Sequence, residues 1–588
     1  MIVLLPLIAA IIAVAVSRNH GTAKYIALAG SLVSLALFPF LSSGTARVGW
    51  LEIGGAALGI TATLAPLNSL LLLAVLLIGP LVLLYSFGFM DVPSEQRRFY
   101  LEMLAFEAAM LAFAMSGNFV LLFIAWEFLS VTSYLTIGFW NWRDGANRGA
   151  RKAITLVLIG DLALLGAMVI LFSVFGTLEF SGIVGAMAVT RMPLSAAALL
   201  VIAVLSKSAQ FPFHEWLPDA TEGPAPALAF LNSSTMVKAG VFAAIALFPL
   251  FSAAGMLPVL FYAGLVTAAL GTLNAVMERR INRVLAYSTM QGLGLMLMAV
   301  GSGALLAAAY FLFMQSFYTA LLFLCTGVGT RANGKDNLFE MGGLTRNRIA
   351  YFTALFGALS LAGFVPFGGF FANMSLAGSF TTNLAAYAFI SLIGLGTSFY
   401  IFRWFVPQTK KTSRVSVAVN YAAVPKSMSL SAILLAGATL ISGAAFFIIP
   451  GYVNGAPSLG PAWGTLQASG YCAASVTAVA LAGAAMGYLV YRQKKKSALR
   501  APSNNLTGAG YAANAMNSVY AYLAAFVLAF GDGIDRFDSA MNGAFDGLGH
   551  AVMLSGNSVK RAASGEINTY VVIFAVGMLL LILAVAIA

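Results

Sequence analysis

Apolar runs of about twenty residues, each nearly free of charge, recur along this chain from one end to the other. "TYVVIFAVGMLLLILAVAIA", which closes the sequence, is typical. A helix of that length crosses the hydrocarbon of a bilayer. Inside lipid every backbone N–H and C=O needs a partner within the protein, which restricts spanning structure to helices and closed barrels. Composition agrees: 60% of the 588 residues are hydrophobic and 9% are charged, where a soluble domain carries about 25% charged residues. The expected class is an all-α polytopic membrane protein.

Sixteen segments are predicted to span, with approximate cores at 1–17, 24–42, 66–90, 100–115, 118–140, 152–175, 193–220, 224–250, 256–276, 282–301, 304–328, 349–379, 381–405, 428–450, 471–492 and 567–588. The first, "MIVLLPLIAAIIAVAV", lacks the basic n-region and small-residue cleavage site of a signal peptide, so it reads as a span. The net charge of +12 does not point to nucleic acid, because its distribution is topological. Most of the 32 basic residues lie in loops after odd-numbered spans, among them Arg97, Arg98, Arg143, Arg148, Arg151, Lys152, Arg279, Arg280, Arg283 and Lys494 to Lys496. Loops after even-numbered spans hold only Arg47 and Arg191. Basic loops stay on the cytoplasmic side, so both termini are expected outside, in the cytoplasmic (inner) membrane. Cys325 and Cys472 both lie in apolar runs, and His20, His214 and His550 are scattered. Neither set forms a disulfide framework or a ligand cluster. No metal, cofactor or nucleotide is expected in this chain.

Segments 193–220 and 349–379 are too long for one crossing, and each carries an internal proline, Pro212 in "SAQFPFHEW" and Pro366 in "AGFVPFGGFF". They are spans 7 and 12, five apart. A five-helix unit inverts on its second copy, so spans 4–8 and 9–13 read as inverted repeats, each with one broken helix marking a transport path. Two ordinary proline kinks are the alternative. The expected division is 1–99 for spans 1–3, 100–250 and 256–405 for the repeats, and 406–510 for spans 14 and 15 with basic loops. A lateral helix over 511–563 and a final anchor over 564–588 complete it.

Ionisable residues inside lipid are costly and mark function by default. Those in predicted spans are Glu102, Glu107, Glu127, Asp161, Lys207 and Lys238. Glu127, Asp161 and Lys238 sit deep in their segments, whereas Glu102 and Glu107 are expected near the surface and are set aside. A buried carboxylate and lysine keep each other charged against desolvation, and withdrawing the carboxylate expels the lysine's proton. Glu127, Lys207, Lys238 and Asp161 are therefore the candidates for a proton switch and relay. Static ion pairs between helices are the bland alternative.

"AWEFLSVTSYLTIGFW", "SKSAQFPFHEWLPDATEGPAP", "STMVKAGVF", "INRVLAYSTMQGLGLMLM" and "DNLFEMGGLTRN" occur in this order over about residues 65–405. Together they resemble the antiporter-like subunits of complex I and its relatives, the Mrp-type sodium/proton antiporters and the membrane-bound hydrogenases. The resemblance implies proton channels built from two inverted five-helix repeats. It places the family's helix-5 glutamate at Glu127, its helix-6 aspartate at Asp161, its helix-7 lysine at Lys207 and a helix-8 lysine at Lys238.

Between the fifteenth and sixteenth spans, Ile534, Phe537, Met541, Phe545, Leu548 and Val552 recur at helical spacing. A helix over 511–563 would run about 80 Å. Its polar face is mainly acidic, with Asp532, Asp535, Asp538 and Asp546. Lipid-surface helices are normally basic, so docking along neighbouring membrane-arm subunits fits better. Sixteen spans with a lateral helix before the last resemble the L-type member of the family. The chain departs from that type in its second half. Asn282, Phe311, Gln315, Thr319, Asn373 and Met374 stand where the resemblance leads one to expect lysines, two histidines and an aspartate, and Asn232 stands where it leads one to expect a histidine bridging the halves.

The expectation is an antiporter-like subunit of a redox-driven proton pump, with a degenerate second-half path. Electrons would pass from NADH, reduced deazaflavin or ferredoxin to a quinone or phenazine. Flavin, iron–sulfur clusters and quinone or phenazine would be held by partner subunits. A cation/proton antiporter and a non-pumping scaffold of the same complex are the alternatives.

Overall fold

The computed structural model describes residues 2–17, 20–53, 56–410, 424–449 and 470–492. The expected lateral helix over 511–563 and the anchor over 564–588 lie outside the described residues. The chain divides into two compact units, the first being Met1–Tyr488; apart from the last four residues of the final helix, the fold and site described below belong to it.

Helices dominate. α1 (Leu5–Val16) and α2 (Ala23–Leu37) precede a β-hairpin, β1 (Gly44–Ile53) and β2 (Ala56–Leu64). Then come α3 (Pro66–Phe89), α4 (Pro93–Ala114), α5 (Phe119–Ile137), α6 (Asp144–Phe175) and the short α7 (Phe180–Ala186). Among the described residues eleven helices are long and apolar enough to cross a membrane.

The hairpin was not expected in an all-α chain. β1 and β2 pair antiparallel with Arg47 opposite Thr61, and two residues, Gly54 and Gly55 in the sequence, separate them. A Gly-Gly pair between short strand-like runs is a hairpin signal, but hydropathy windows average it away. The hairpin is docked at its base. Thr63 N–H donates to Met115 C=O at 2.7 Å and Gly117 N–H to Thr61 C=O at 2.8 Å. Glu179 accepts from Thr61 Oγ1 at 2.8 Å and from Asn118 Nδ2 at 3.1 Å.

The first broken segment behaves as its proline requires. α8 (Leu194–Lys207) stops five residues before Pro212, and the chain resumes as α9 (Trp216–Asp219). Ala209 adopts φ +48°, the left-handed conformation that ends helices. A helix C-terminus leaves carbonyls without partners, and here side chains return to fill them: Trp216 Nε1 donates to Ser206 C=O at 3.0 Å. The eighth predicted span is also interrupted, which the sequence reading missed. α10 (Ala225–Ser233) and α11 (Met236–Ala246) are separated at Ser234–Thr235, so Lys238 stands in the first turn of α11.

After α12 (Phe248–Ala253), α13 (Leu257–Met277) and α14 (Ile281–Gly301) make the closest helix pair. Glycines set that contact: a Cβ on Gly264 or Gly294 would fall about 2.5 Å from backbone atoms of the opposite helix, the small-residue packing that serves where lipid provides no hydrophobic drive. α15 (Leu305–Asn333) runs through the centre. The second broken segment splits into α16 (Arg348–Ala362) and α17 (Gly368–Gly378) at Gly363, φ +83°. α18 (Leu384–Gln408), α19 (Lys426–Ala444) and α20 (Gly470–Arg492) follow.

Candidate functional site

The break after α8 decides what surrounds Lys207. Ending the helix at this residue puts its ammonium in the last turn, where free carbonyls and the helix dipole favour a cation. Its side chain is fully buried. Nζ donates to Trp126 C=O at 2.8 Å, to Ser130 Oγ, and at 3.4 Å to Asp161 Oδ1. It also lies 4.8 Å from the centre of the Trp126 ring, within cation–π range.

Asp161, from the middle of α6, is the lysine's counter-ion. Its Oδ1 accepts from Trp126 Nε1 at 2.6 Å and its Oδ2 from the Ser130 hydroxyl at 2.8 Å. Trp126 and Ser130 are one turn apart on α5, so one helix face supplies both donors. The cluster thus joins α5, α6 and α8 through one lysine, one carboxylate, one indole and one hydroxyl.

Glu127 and Lys207, the expected pair, interact electrostatically through space, without a hydrogen bond or salt bridge between them. Glu127 is half-buried and makes no hydrogen bond or ion pair among the described residues. It is next to Trp126 in the sequence, which on a helix turns it away from the face that meets α6 and α8. Around it α5 is open, with Phe128 58% and Val131 50% exposed.

Among the described residues Lys238 makes no ion pair with a carboxylate. It is fully buried, and its Nζ donates to Leu312 C=O and Ser316 Oγ, both at 2.8 Å. Ser208 connects the two lysine regions: its hydroxyl donates to Val237 C=O at 2.7 Å and accepts from Val241 N–H at 2.9 Å.

Three acids absent from the candidate set organise the end of the helices where Lys152, Arg280 and Arg283 lie. Asp219 accepts Lys152 Nζ at 2.8 Å on one oxygen and Arg283 at 2.9 Å on the other. Glu215, buried, takes Lys152 at 3.2 Å and lies 3.6 Å from His214 Nε2. Glu222 binds Arg280 at 2.6 Å, which also holds Asp336 at 2.7 Å. These pairs tie α6 and the first broken segment to the start of α14. The 215, 219, 222 spacing was a visible signal, since it places the acids on one side of a turn.

Three other charged residues are buried among the described residues. Glu107, expected near the surface, is buried at 1% exposure and accepts from Ser31 Oγ at 2.7 Å. Glu102 is also buried and holds Arg98 at 2.7 Å. Arg403, near the end of the predicted span 381–405, lies within α18 and is buried; it donates to the carbonyl of Glu278 at 2.6 Å, closing the end of α13. The neutral positions Asn232 and Gln315 remain lightly bonded. Asn232 Oδ1, Gln315 Oε1 and Tyr310 OH find no hydrogen-bond partner among the described residues, and Asn232 Nδ2 donates to Leu228 C=O at 2.9 Å. Among the described residues no group of three His, Cys, Asp or Glu side chains is placed to hold a metal ion.

Comparison with known proteins places this geometry. Residues 116–399, which contain the whole lysine cluster, match the family model described as NADH:quinone oxidoreductase/Mrp antiporter, transmembrane. The chain is 30% identical over 592 aligned positions to NAD(P)H-quinone oxidoreductase subunit 5 from the chloroplast of Chaetosphaeridium globosum, covering 91% of this chain and 88% of that protein. It spans about half the length of several other chloroplast relatives that it matches. Among solved structures, the fold is similar to a chain of the membrane-bound sulfane sulfur reductase, an archaeal respiratory membrane complex, at TM-score 0.73, 20% identity and 99% coverage of both chains. It is similar also to a chain of the Mrp complex from Dietzia sp., at TM-score 0.70 and 23% identity, covering 99% of this chain and 62% of that one. The chain is a multi-pass membrane protein of the NADH:quinone oxidoreductase/Mrp antiporter transmembrane family.

Proposed function

We propose that this chain is an antiporter-like, membrane-arm subunit of a complex I-like, redox-driven proton pump, and that its first half carries the proton. The observation that bears the reading is Lys207: a fully buried lysine held by Asp161, Trp126 and Ser130 at a helix break. A charge in that position is costly to keep, and a site that can gain and lose a proton between fixed partners gives it a use. Asp161 and Lys207 form the loading pair, Glu127 stands on the open face of α5 toward a neighbour, and Lys238 is the next base inward. The half-exposed Glu127 favours a protein neighbour over lipid on that face, because a carboxylate at that depth is poorly tolerated by hydrocarbon.

The finer architecture belongs to the same reading. It has sixteen spans in the cytoplasmic membrane with both termini outside, and inverted repeats over spans 4–8 (100–250) and 9–13 (256–405). The breaks at 208–215 and 363–367 fall five predicted spans apart, which supports the repeats. Residues 1–99 flank the first repeat and 406–510 follow the second. A lateral helix over 511–563 and an anchor over 564–588 contact the other membrane-arm subunits. Flavin, iron–sulfur clusters and quinone or phenazine sit on partner subunits, with NADH, reduced deazaflavin or ferredoxin as donor.

Proton movement per electron in vesicles containing the intact complex tests the reading. Lys207→Ala should lower that ratio while the complex still assembles. A wild-type ratio and rate in Lys207→Ala would reject it.

A further inference from the structure

Among the described residues, Ser130 is the side chain that hydrogen-bonds to both charges of the buried pair. Its Oγ accepts from Lys207 Nζ and its hydroxyl donates to Asp161 Oδ2 at 2.8 Å. The direct contact between the charges is longer, 3.4 Å, and ends on Oδ1, which already accepts the Trp126 indole N–H at 2.6 Å. The serine hydroxyl has a second acceptor in reach, Trp126 C=O at 3.2 Å. The shorter, charge-assisted bond to the carboxylate holds the hydrogen.

We propose that the Ser130 hydroxyl is the proton relay of this cluster, passing the proton of Lys207 to Asp161, so that Asp161 rather than Glu127 is its first acceptor. The proposal rests on the proton-carrying reading above. The step is balanced. One N–H bond of the ammonium breaks as an O–H bond forms on Ser130 Oγ. The hydroxyl's original O–H bond breaks as one forms on Asp161 Oδ2. Ammonium and carboxylate become amine and carboxylic acid, the serine is returned unchanged, and no oxidant or reductant takes part.

After transfer the hydrogen bonds persist with their direction reversed. The acid donates to Ser130 Oγ, and the serine donates to the lone pair of the amine. The amine's two remaining N–H bonds still meet Trp126 C=O and Asp161 Oδ1. No heavy atom has to move and no buried polar group is orphaned, which is the condition for a polar network to be tolerated in a dry interior. Removing both charges from the membrane interior offsets the lost attraction between them. The cluster can therefore hold its proton on either side of the serine, and an outside charge near Glu127 can tip the choice.

The test compares Ser130→Ala, Ser130→Val, Ser130→Thr and Lys207→Ala in the intact complex in vesicles, by proton movement and its solvent deuterium isotope effect. Ser130→Ala and Ser130→Val should assemble normally and move protons about a hundredfold more slowly, the usual lower scale for a lost proton-transfer group. Ser130→Thr, which has the shape of valine but keeps the hydroxyl, should restore rate and isotope effect. A wild-type Ser130→Ala beside an impaired Lys207→Ala overturns the relay alone. Wild-type behaviour in both rejects the proton-carrying reading. Ser130→Thr assembled but as slow as Ser130→Val overturns the relay, as does failure of all three serine variants to assemble, which would assign the serine a packing role.

Discussion

Trp126 and Asp161 are joined by a 2.6 Å bond from indole N–H to carboxylate, and the same tryptophan offers its ring face and its carbonyl to Lys207. One residue therefore positions both charges of the pair.

Trp126→Phe separates these roles, because it keeps the ring and the backbone carbonyl but deletes the N–H. A hydrogen bond to a charged group contributes about 2 kcal/mol, so a loss of that order is expected in thermal stability of the detergent-purified complex. If the tryptophan acts through Asp161, Trp126→Phe should cost far less in an Asp161→Ala background than in the wild type. Additive losses would show that the ring packs independently.

The acids of the first broken segment predict a ranking. Asp219 is 33% exposed and Arg283 26%, so Arg283→Ala should cost roughly 1 kcal/mol, as partly solvated pairs do. Lys152→Ala removes the lysine from both Glu215, whose side chain is only 4% exposed, and Asp219, and breaking a buried ion pair costs about 3 kcal/mol or more. The yield of assembled complex should fall in the order wild type, Arg283→Ala, Lys152→Ala. Equal yields would refute the ranking.

At the second break the chains approach too closely for a side chain. A Cβ on Gly369 would lie 1.8 Å from the Ser360 carbonyl oxygen. Gly369→Ala therefore forces α16 and α17 apart, and loss of the assembled complex is expected on native gels. Gly437→Ala is the control, since nothing lies within 4 Å of that Cβ; it should be neutral, or stabilising by up to about 1 kcal/mol through helix propensity.

The hairpin's anchor can be tested by cleavage. Glu179→Ala removes the acceptor for Thr61 and Asn118 and the 3.7 Å partner of Arg47. Proteolysis between residues 44 and 64 should accelerate several-fold while cleavage elsewhere is unchanged. Asn118 keeps its 2.6 Å bond to Gly59 C=O, so the hairpin should loosen without the helices around it failing.

What the sequence determined by itself is everything that depends on short-range order. Runs of apolar residues set the membrane class and the succession of helices, Pro212 and Pro366 marked two breaks, and the lone charges marked where function would gather. Its resemblance to a family extended that to roles for Glu127, Asp161, Lys207 and Lys238. The tertiary structure alone decided which of these meet. Helices that are apolar on nearly every side carry little record of how they are rotated about their axes, so the sequence could not distinguish Asp161 from Glu127 as the partner of Lys207. Nor could it show that Ser130 lies between them. The same ambiguity hid the depth of Glu107 and the inward turn of Arg403. A residue's depth along a span is written in its neighbours in sequence; the direction it faces is settled only when the helices pack.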